Sequence, residues 1–190
     1  MIRIALVGDI GSGKSFISKL FGYPVFNADE AVAKIYSKDK KIYYKLKKKI
    51  PNTFFNFPVE KESLINAIIK NKKNIKKISS IVHPEVRKKL KVFLKKNDRK
   101  KMVILDIPLY LENGLNNKKD IIIFIQSNSK ETLGKLKKRK NFNKLIIQRL
   151  KNYQLPLNIK RKKSHYVIKN NFNKNSARKR VNDILKKILL

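Results

Sequence analysis

The sequence predicts an α/β fold built around a parallel sheet, and three observations carry that prediction. Residues 2–7 read as a buried strand, and 102–107 and 121–126 are apolar runs of strand length interrupted only by Asp106 and ended by Gln126, the pattern of strands covered on both faces rather than on one. The first run leads directly into the glycine-rich stretch Gly8-Asp9-Ile10-Gly11-Ser12-Gly13, and apolar residues at helical spacing (Phe16, Ile17, Leu20, Phe21) follow from about Lys14. From residue 29 to about 96 the apolar period is helical throughout, so the strand pattern is interrupted by a helical insertion and resumes near residue 101.

Each element has its own local signal. Gly22 and Pro24 stop the first helix ahead of a short strand, Val25-Phe26. In the insertion the apolar sets are Leu64/Ile65/Ile68/Ile69, Ile75/Ile78/Val82 and Val86/Leu90/Phe93/Leu94, with Pro51, Pro58 and Pro84 expected to break the helices. After the strands at 102–107 and 121–126, Asn128 with Glu131 three residues on is a capping pair for a helix through Leu133 and Leu136. Residues 135–141 are dense in charge and poor in apolar content, which suits a mobile flap. A basic helix is expected from about Asn143, a last strand at Tyr166-Val167-Ile168, and a closing amphipathic helix through Ala177, Val181, Ile184, Leu185 and Ile188.

The 190 residues allow one such core with an appended module and are too few for two catalytic domains. A hydrophobic content of 42% supports a buried core. No run of about 18 apolar residues is present, and no leader of export type precedes the first strand, so neither a membrane partner nor export is expected. With no cysteine, disulfide frameworks and thiolate metal sites are excluded. The charge is extreme: 48 Lys+Arg against 13 Asp+Glu give +35. Two readings stay open. Lysine, asparagine and isoleucine crowd the whole chain as A/T-rich codons would make them, and a polyanion partner would select the same charge. Non-specific electrostatic attraction to nucleic acid is compatible with either reading, and a specific nucleic-acid site is not expected.

The sharpest motif is Gly8-x-x-x-x-Gly13-Lys14-Ser15, lying where its mechanism requires, between a strand and a helix. Its glycines let the backbone curl so that N–H groups from about Gly11 to Phe16 point at phosphates from a helix N-terminus. Lys14 bridges β- and γ-phosphate oxygens on this reading, the Ser15 hydroxyl ligates Mg²⁺, and Gly8, Gly11, Ser12, Gly13 and the Phe16 backbone complete the ATP cradle. The expected core is therefore a P-loop NTPase-type three-layer parallel sheet. A small chain with a helical insertion and a basic flap is built as small-molecule kinases are.

Five motifs in order complete a resemblance: residues 8–15, Asn27-Ala28-Asp29, His83-Pro84, Pro108-Leu109-Tyr110-Leu111-Glu112 and Val167-Ile168-Lys169-Asn170. The set is similar to that of the dephospho-CoA kinase family along nearly the whole chain. The resemblance implies transfer of the ATP γ-phosphoryl group to the ribose 3′-hydroxyl of dephospho-CoA. It also implies three parts: a nucleotide core at 1–28, 100–137 and 157–190, an acceptor-binding helical insertion at 29–99, and a small helical lid at 138–156. Asp29 matches the position that orients or deprotonates the acceptor hydroxyl, and the alternative from spacing alone is a helix N-cap. Asp106 falls where phosphate-loop proteins place a second acidic group, from which it would hold Mg²⁺ through water; strand-end solvation is its alternative. His83 is either an acceptor contact or a capping or interior histidine, and Glu112 meets either a basic group at the acceptor site or solvent. Arg139 and Arg149 are the expected γ-phosphate clamps of the lid, since guanidinium grips phosphate bidentately. ATP chemistry implies a cytoplasmic enzyme, expected as a monomer.

The chain departs from the family pattern at several places. Asn27 replaces the first aspartate of the turn, Ser164-His165 stands where Ala-Asp is usual, and an arginine usual near Glu62-Ser63-Leu64 is missing. A kinase for a nucleoside monophosphate or another small alcohol is the competing reading from the same chemistry. An ATP-dependent nucleic-acid-binding protein is the competing reading from the charge.

Overall fold

The computed structural model describes residues 1–138 and 142–190. Five parallel strands form one sheet in the order β2-β3-β1-β4-β5, with β1 at Ile2–Gly8, β2 at Val25–Asn27, β3 at Met102–Asp106, β4 at Ile121–Ser127 and β5 at Tyr166–Asn170. β1 is central: Ile2 to Ala5 lie opposite Met102 to Leu105, and Ile4 to Gly8 opposite Ile121 to Ile125. All four pairings are parallel, and the strands are apolar nearly throughout because both faces are covered. Ile4, Leu6, Met102, Ile104, Ile123, Ile125 and Ile168 face α1 (Lys14–Leu20) and α9 (Lys174–Leu189), which contribute Ile17, Ala177, Val181 and Ile184 to a common core. The alternate residues Ala5, Val7, Val103, Leu105, Ile122 and Phe124 are buried as well. α8 (Leu157–Lys162), a short helix absent from the sequence reading, packs against β1.

The chain divides into two compact units. One holds the strands and spans 1–27, 97–143 and 151–190; the other is helical and spans 28–96 and 144–150. The helical unit consists of α2 (Ala28–Lys38), α3 (Lys40–Lys49), α4 (Lys61–Lys70) and α5 (Asn74–Lys96), and most of α7 (Lys144–Lys151) groups with it. The stretch expected as a lid is thus split, residues 144–150 going with the helices and 151–156 with the sheet. Pro84 was expected to break a helix and does not: α5 runs through it for 23 residues. Proline removes one backbone hydrogen bond at roughly 3 kcal/mol, and the stripe Ile75, Ile78, Val82, Val86 and Leu90, all buried, supplies several times that through side-chain burial. Of the stretch 135–141 expected as a mobile flap, residues 135–137 instead end α6 (Ser129–Lys137), where Leu136 is 3% exposed, and residues 139–141 lie outside the described residues. Asn128 caps α6 by accepting from the Lys130 N–H. No helix among the described residues is long and apolar enough to cross a membrane.

Candidate active site

The glycine-rich loop leaves the C-terminal end of β1 and closes on α1. Gly8 has φ 155° and Gly13, the N-cap of α1, has φ 88°, backbone that an L side chain adopts at a cost. Space forbids a side chain too: a Cβ on Gly8 would lie 2.6 Å from the Ile125 carbonyl oxygen, and one on Gly13 would collide with the Asn170 amide. That amide donates to the Ser12 carbonyl at 2.9 Å, so the end of β5 ties down the loop that follows β1. The Lys14 ammonium donates to the carbonyls of Asp9 at 2.8 Å and Gly8 at 3.4 Å. The Ser15 side chain is exposed, and the Phe16 N–H donates to the Gly13 carbonyl at 3.1 Å. Gly8, Gly11, Ser12, Gly13, Lys14, Ser15 and Phe16 thus lie on one curled stretch of backbone leading into a helix N-terminus, a kind of arrangement that can hold a polyphosphate.

Asp106 ends β3, the strand beside β1, and is 3% exposed. Its carboxylate accepts from the Asn27 amide at 3.2 Å, the two residues being register partners on β2 and β3. The asparagine at 27 therefore has a structural meaning. An aspartate there would set two carboxylates face to face, and the amide supplies a donor instead. Among the described residues no group of three or more His, Cys, Asp or Glu forms a metal cage. The oxygens of Ser15 and Asp106 fit the kind of site Mg²⁺ takes with polyphosphates, in which one or two protein oxygens are completed by phosphate and water.

Asp29 is exposed in the first turn of α2, whose start at Ala28 places it inside the helix and not at the N-cap; a carboxylate there is favoured by the helix dipole. His83 is half-buried within α5, and its pKa is lowered from 6.5 first by burial and then by Arg87. Arg149 donates to the backbone carbonyls of Ile68 and Ile69. Asp29, His83 and Arg149 all belong to the helical unit. Arg139 lies outside the described residues.

Glu112 belongs to the strand unit, where its carboxylate pairs with Lys160 at 2.8 Å, side chains 9% and 3% exposed, and accepts from the Leu155 N–H at 2.9 Å. Lys160 also donates to Gln154 at 3.1 Å. The carboxylate thus ties the segment after β3 to the chain entering α8. Lys160 carried no signal in a sequence with so many lysines. A second anchor holds the same segment: Asp120 pairs with Arg3 at 2.9 Å and accepts from the Tyr110 hydroxyl at 2.5 Å. Burial and that donation hold the Tyr110 phenol well above its ordinary range. Beside the phosphate loop lies a cavity of about 360 Å³ whose polar lining includes Asp9, Gln126, Ser129, Thr132, Asn158 and Arg161.

Comparison with known proteins agrees with this geometry. The profile of the dephospho-CoA kinase family matches residues 2–176. A dephospho-CoA kinase of Wolbachia sp. subsp. Brugia malayi is 34% identical over 98% of each chain. Among solved structures, TT1252 from Thermus thermophilus is similar with a TM-score of 0.79 and 25% identity, covering 100% of this chain and 98% of its own. A dephospho-CoA kinase from Campylobacter jejuni shares the fold at a TM-score of 0.62 and 19% identity, over 98% and 96% of the two chains. With a parallel sheet, a phosphate loop in the required place and a match over nearly its whole length, the chain belongs to the dephospho-CoA kinase family.

Proposed function

We propose that this protein transfers the γ-phosphoryl group of ATP to the ribose 3′-hydroxyl of dephospho-CoA, giving coenzyme A and ADP. The observation that carries the reading is the loop at residues 8–15, its donors gathered at the start of α1 and locked by Asn170. Phosphoryl transfer through a loose transition state asks little covalent chemistry of the protein and much positioning and charge neutralisation. In this reading the loop N–H groups hold the β- and γ-phosphates, and Lys14 exchanges its carbonyl partners for phosphate oxygens as charge spreads over them. Mg²⁺, held by Ser15 and Asp106, would neutralise charge on the phosphates. Asp29 orients the acceptor hydroxyl and takes its proton late, so positioning outweighs basicity. His83 and the helices around it form the acceptor side, and Arg139 and Arg149 are the clamps of the closing segment. The enzyme is cytoplasmic and monomeric in this proposal.

ADP release with Mg²⁺-ATP tests it, with dephospho-CoA compared against AMP, CMP, shikimate and RNA. Dephospho-CoA alone should give rapid turnover and a 3′-phosphorylated product. Lys14→Ala should lower kcat on the order of 10²–10³-fold, and Asp29→Asn roughly 10²-fold with little change in the KM for ATP. Faster turnover with another small acceptor overturns the substrate, and stimulation by RNA alone overturns the kinase reading.

A further inference from the structure

Residue 9 is the first variable position of the phosphate loop, and in this chain it is an aspartate. A carboxylate in an anion-binding loop repels the ligand that the loop holds, so its presence asks for a counter-charge. The structure supplies one. Asp9 Oδ1 accepts from the Ile10 N–H at 2.7 Å, which fixes the carboxylate on the loop, and Oδ2 pairs with the Lys151 ammonium at 3.3 Å. The Asp9 carbonyl accepts from Lys14 at 2.8 Å. Two ammonium groups are thus gathered on one residue, Lys14 at its backbone and Lys151 at its side chain. Cations brought together in this way favour an anion between them. The carboxylate meets that demand only weakly, because the side chains of Lys151 and Asp9 are 49% and 22% exposed and such a pair contributes little. A polyphosphate carrying several charges and gripped by Lys14 outcompetes it. Arg149, two residues before Lys151 on α7, is engaged by the carbonyls of Ile68 and Ile69. Residues two apart do not share a helix face, so the turn that spends Arg149 there leaves Lys151 to the loop.

We propose that Lys151 is a further catalytic residue of the phosphoryl transfer, its ammonium leaving the Asp9 carboxylate for a γ-phosphate oxygen when ATP binds. This rests on the kinase reading above. In the transfer the acceptor oxygen bonds to the γ-phosphorus, the bond from that phosphorus to the β–γ bridging oxygen breaks, and the hydroxyl proton passes to Asp29. Lys151 moves no proton; it neutralises charge on the group in transit. Asp9 is a positioning residue: it holds the lysine at the loop beforehand, so less side-chain freedom is lost on binding.

The test compares ATP with ADP, which lacks the group assigned to Lys151. In calorimetry Lys151→Met should raise the Kd for Mg²⁺-ATP about fivefold and leave that for ADP at the wild-type value, while kcat falls on the order of 10²-fold. Lys151→Arg returns the cation and should recover most of kcat. Lys186→Met, in the last turn of α9, removes the same formal charge elsewhere and should alter none of these values. Equal weakening of ATP and ADP, an unchanged kcat in Lys151→Met, or equal losses in Lys186→Met each overturns the assignment. Should Lys151→Met fail to fold, Lys151→Gln takes its place in the same comparison. Phosphorylation of another acceptor by the wild type would overturn the substrate alone, with the ATP-to-ADP ratio still deciding Lys151. A wild type that binds neither nucleotide would instead remove the phosphate-loop reading, and this inference with it.

Discussion

The two units of this molecule handle charge in opposite ways. In the strand unit the charged groups of the interior are anchored by specific partners: Asp120 between Arg3 and Tyr110, Glu112 against Lys160, Lys14 on the carbonyls of its own loop. The helical unit carries its lysines on helix surfaces. α3, for example, buries Ile42, Tyr43 and Leu46 and ends in Lys47, Lys48 and Lys49. Its ion pair of Lys88 with Glu85, one turn apart on α5, has the lysine side chain 71% exposed. The comparison teaches that, within a formal charge of +35, the lysines carried on helix surfaces are background to the packing of the fold, and that the charges with a structural task are those the fold withdraws from water.

The sharpest way to break that comparison is to remove one informative charge. Lys160→Met leaves Glu112 buried and unpaired and should destabilise the protein by about 3–5 kcal/mol, read as a lowered urea midpoint. The double variant Lys160→Met/Glu112→Met should recover most of the loss. A single variant as stable as the wild type would show that water reaches Glu112 and that the pair anchors nothing.

A smaller effect is expected at His83. Its folded pKa lies below 6.5, so the unfolded chain binds more protons in the window between the two values. Stability contributed by this group is complete above pH 6.5, falls as pH drops through that value, and levels off below the folded pKa. His83→Gln should therefore flatten the Tm profile between about pH 7.5 and 5 relative to wild type. Parallel profiles would refute the burial argument. At the bottom of the scale, Lys88→Met should leave Tm unchanged within measurement, since an exposed pair one turn apart contributes little. A clear drop would mean that the surface lysines of the helical unit are not background.

How much of this was legible depended on how local each signal is. The phosphate loop, the strands and α9 were readable because continuous apolar runs and a 3.6-residue period are properties of neighbouring residues. The uninterrupted helix through Pro84 was not, since the burial that outweighs its missing hydrogen bond comes from packing against other helices. Lys160 was indistinguishable from its neighbours until Glu112, 48 positions earlier, was brought against it. Asn27 read only as a departure from a pattern; its register with Asp106 gives it a donor's task.

The loop at residues 8–15 also bears on folding order. Gly8 lies in register with Ile125, and Ser12 is bound by an amide 158 positions away. Contacts of such sequence separation close large loops and form late in folding. A peptide spanning residues 1–22 would carry every residue of the motif and none of these constraints. On the phosphate-loop reading proposed above, phosphate affinity is a global reporter: it should recover during refolding only when the last strand of the sheet has docked, after most helical signal has returned.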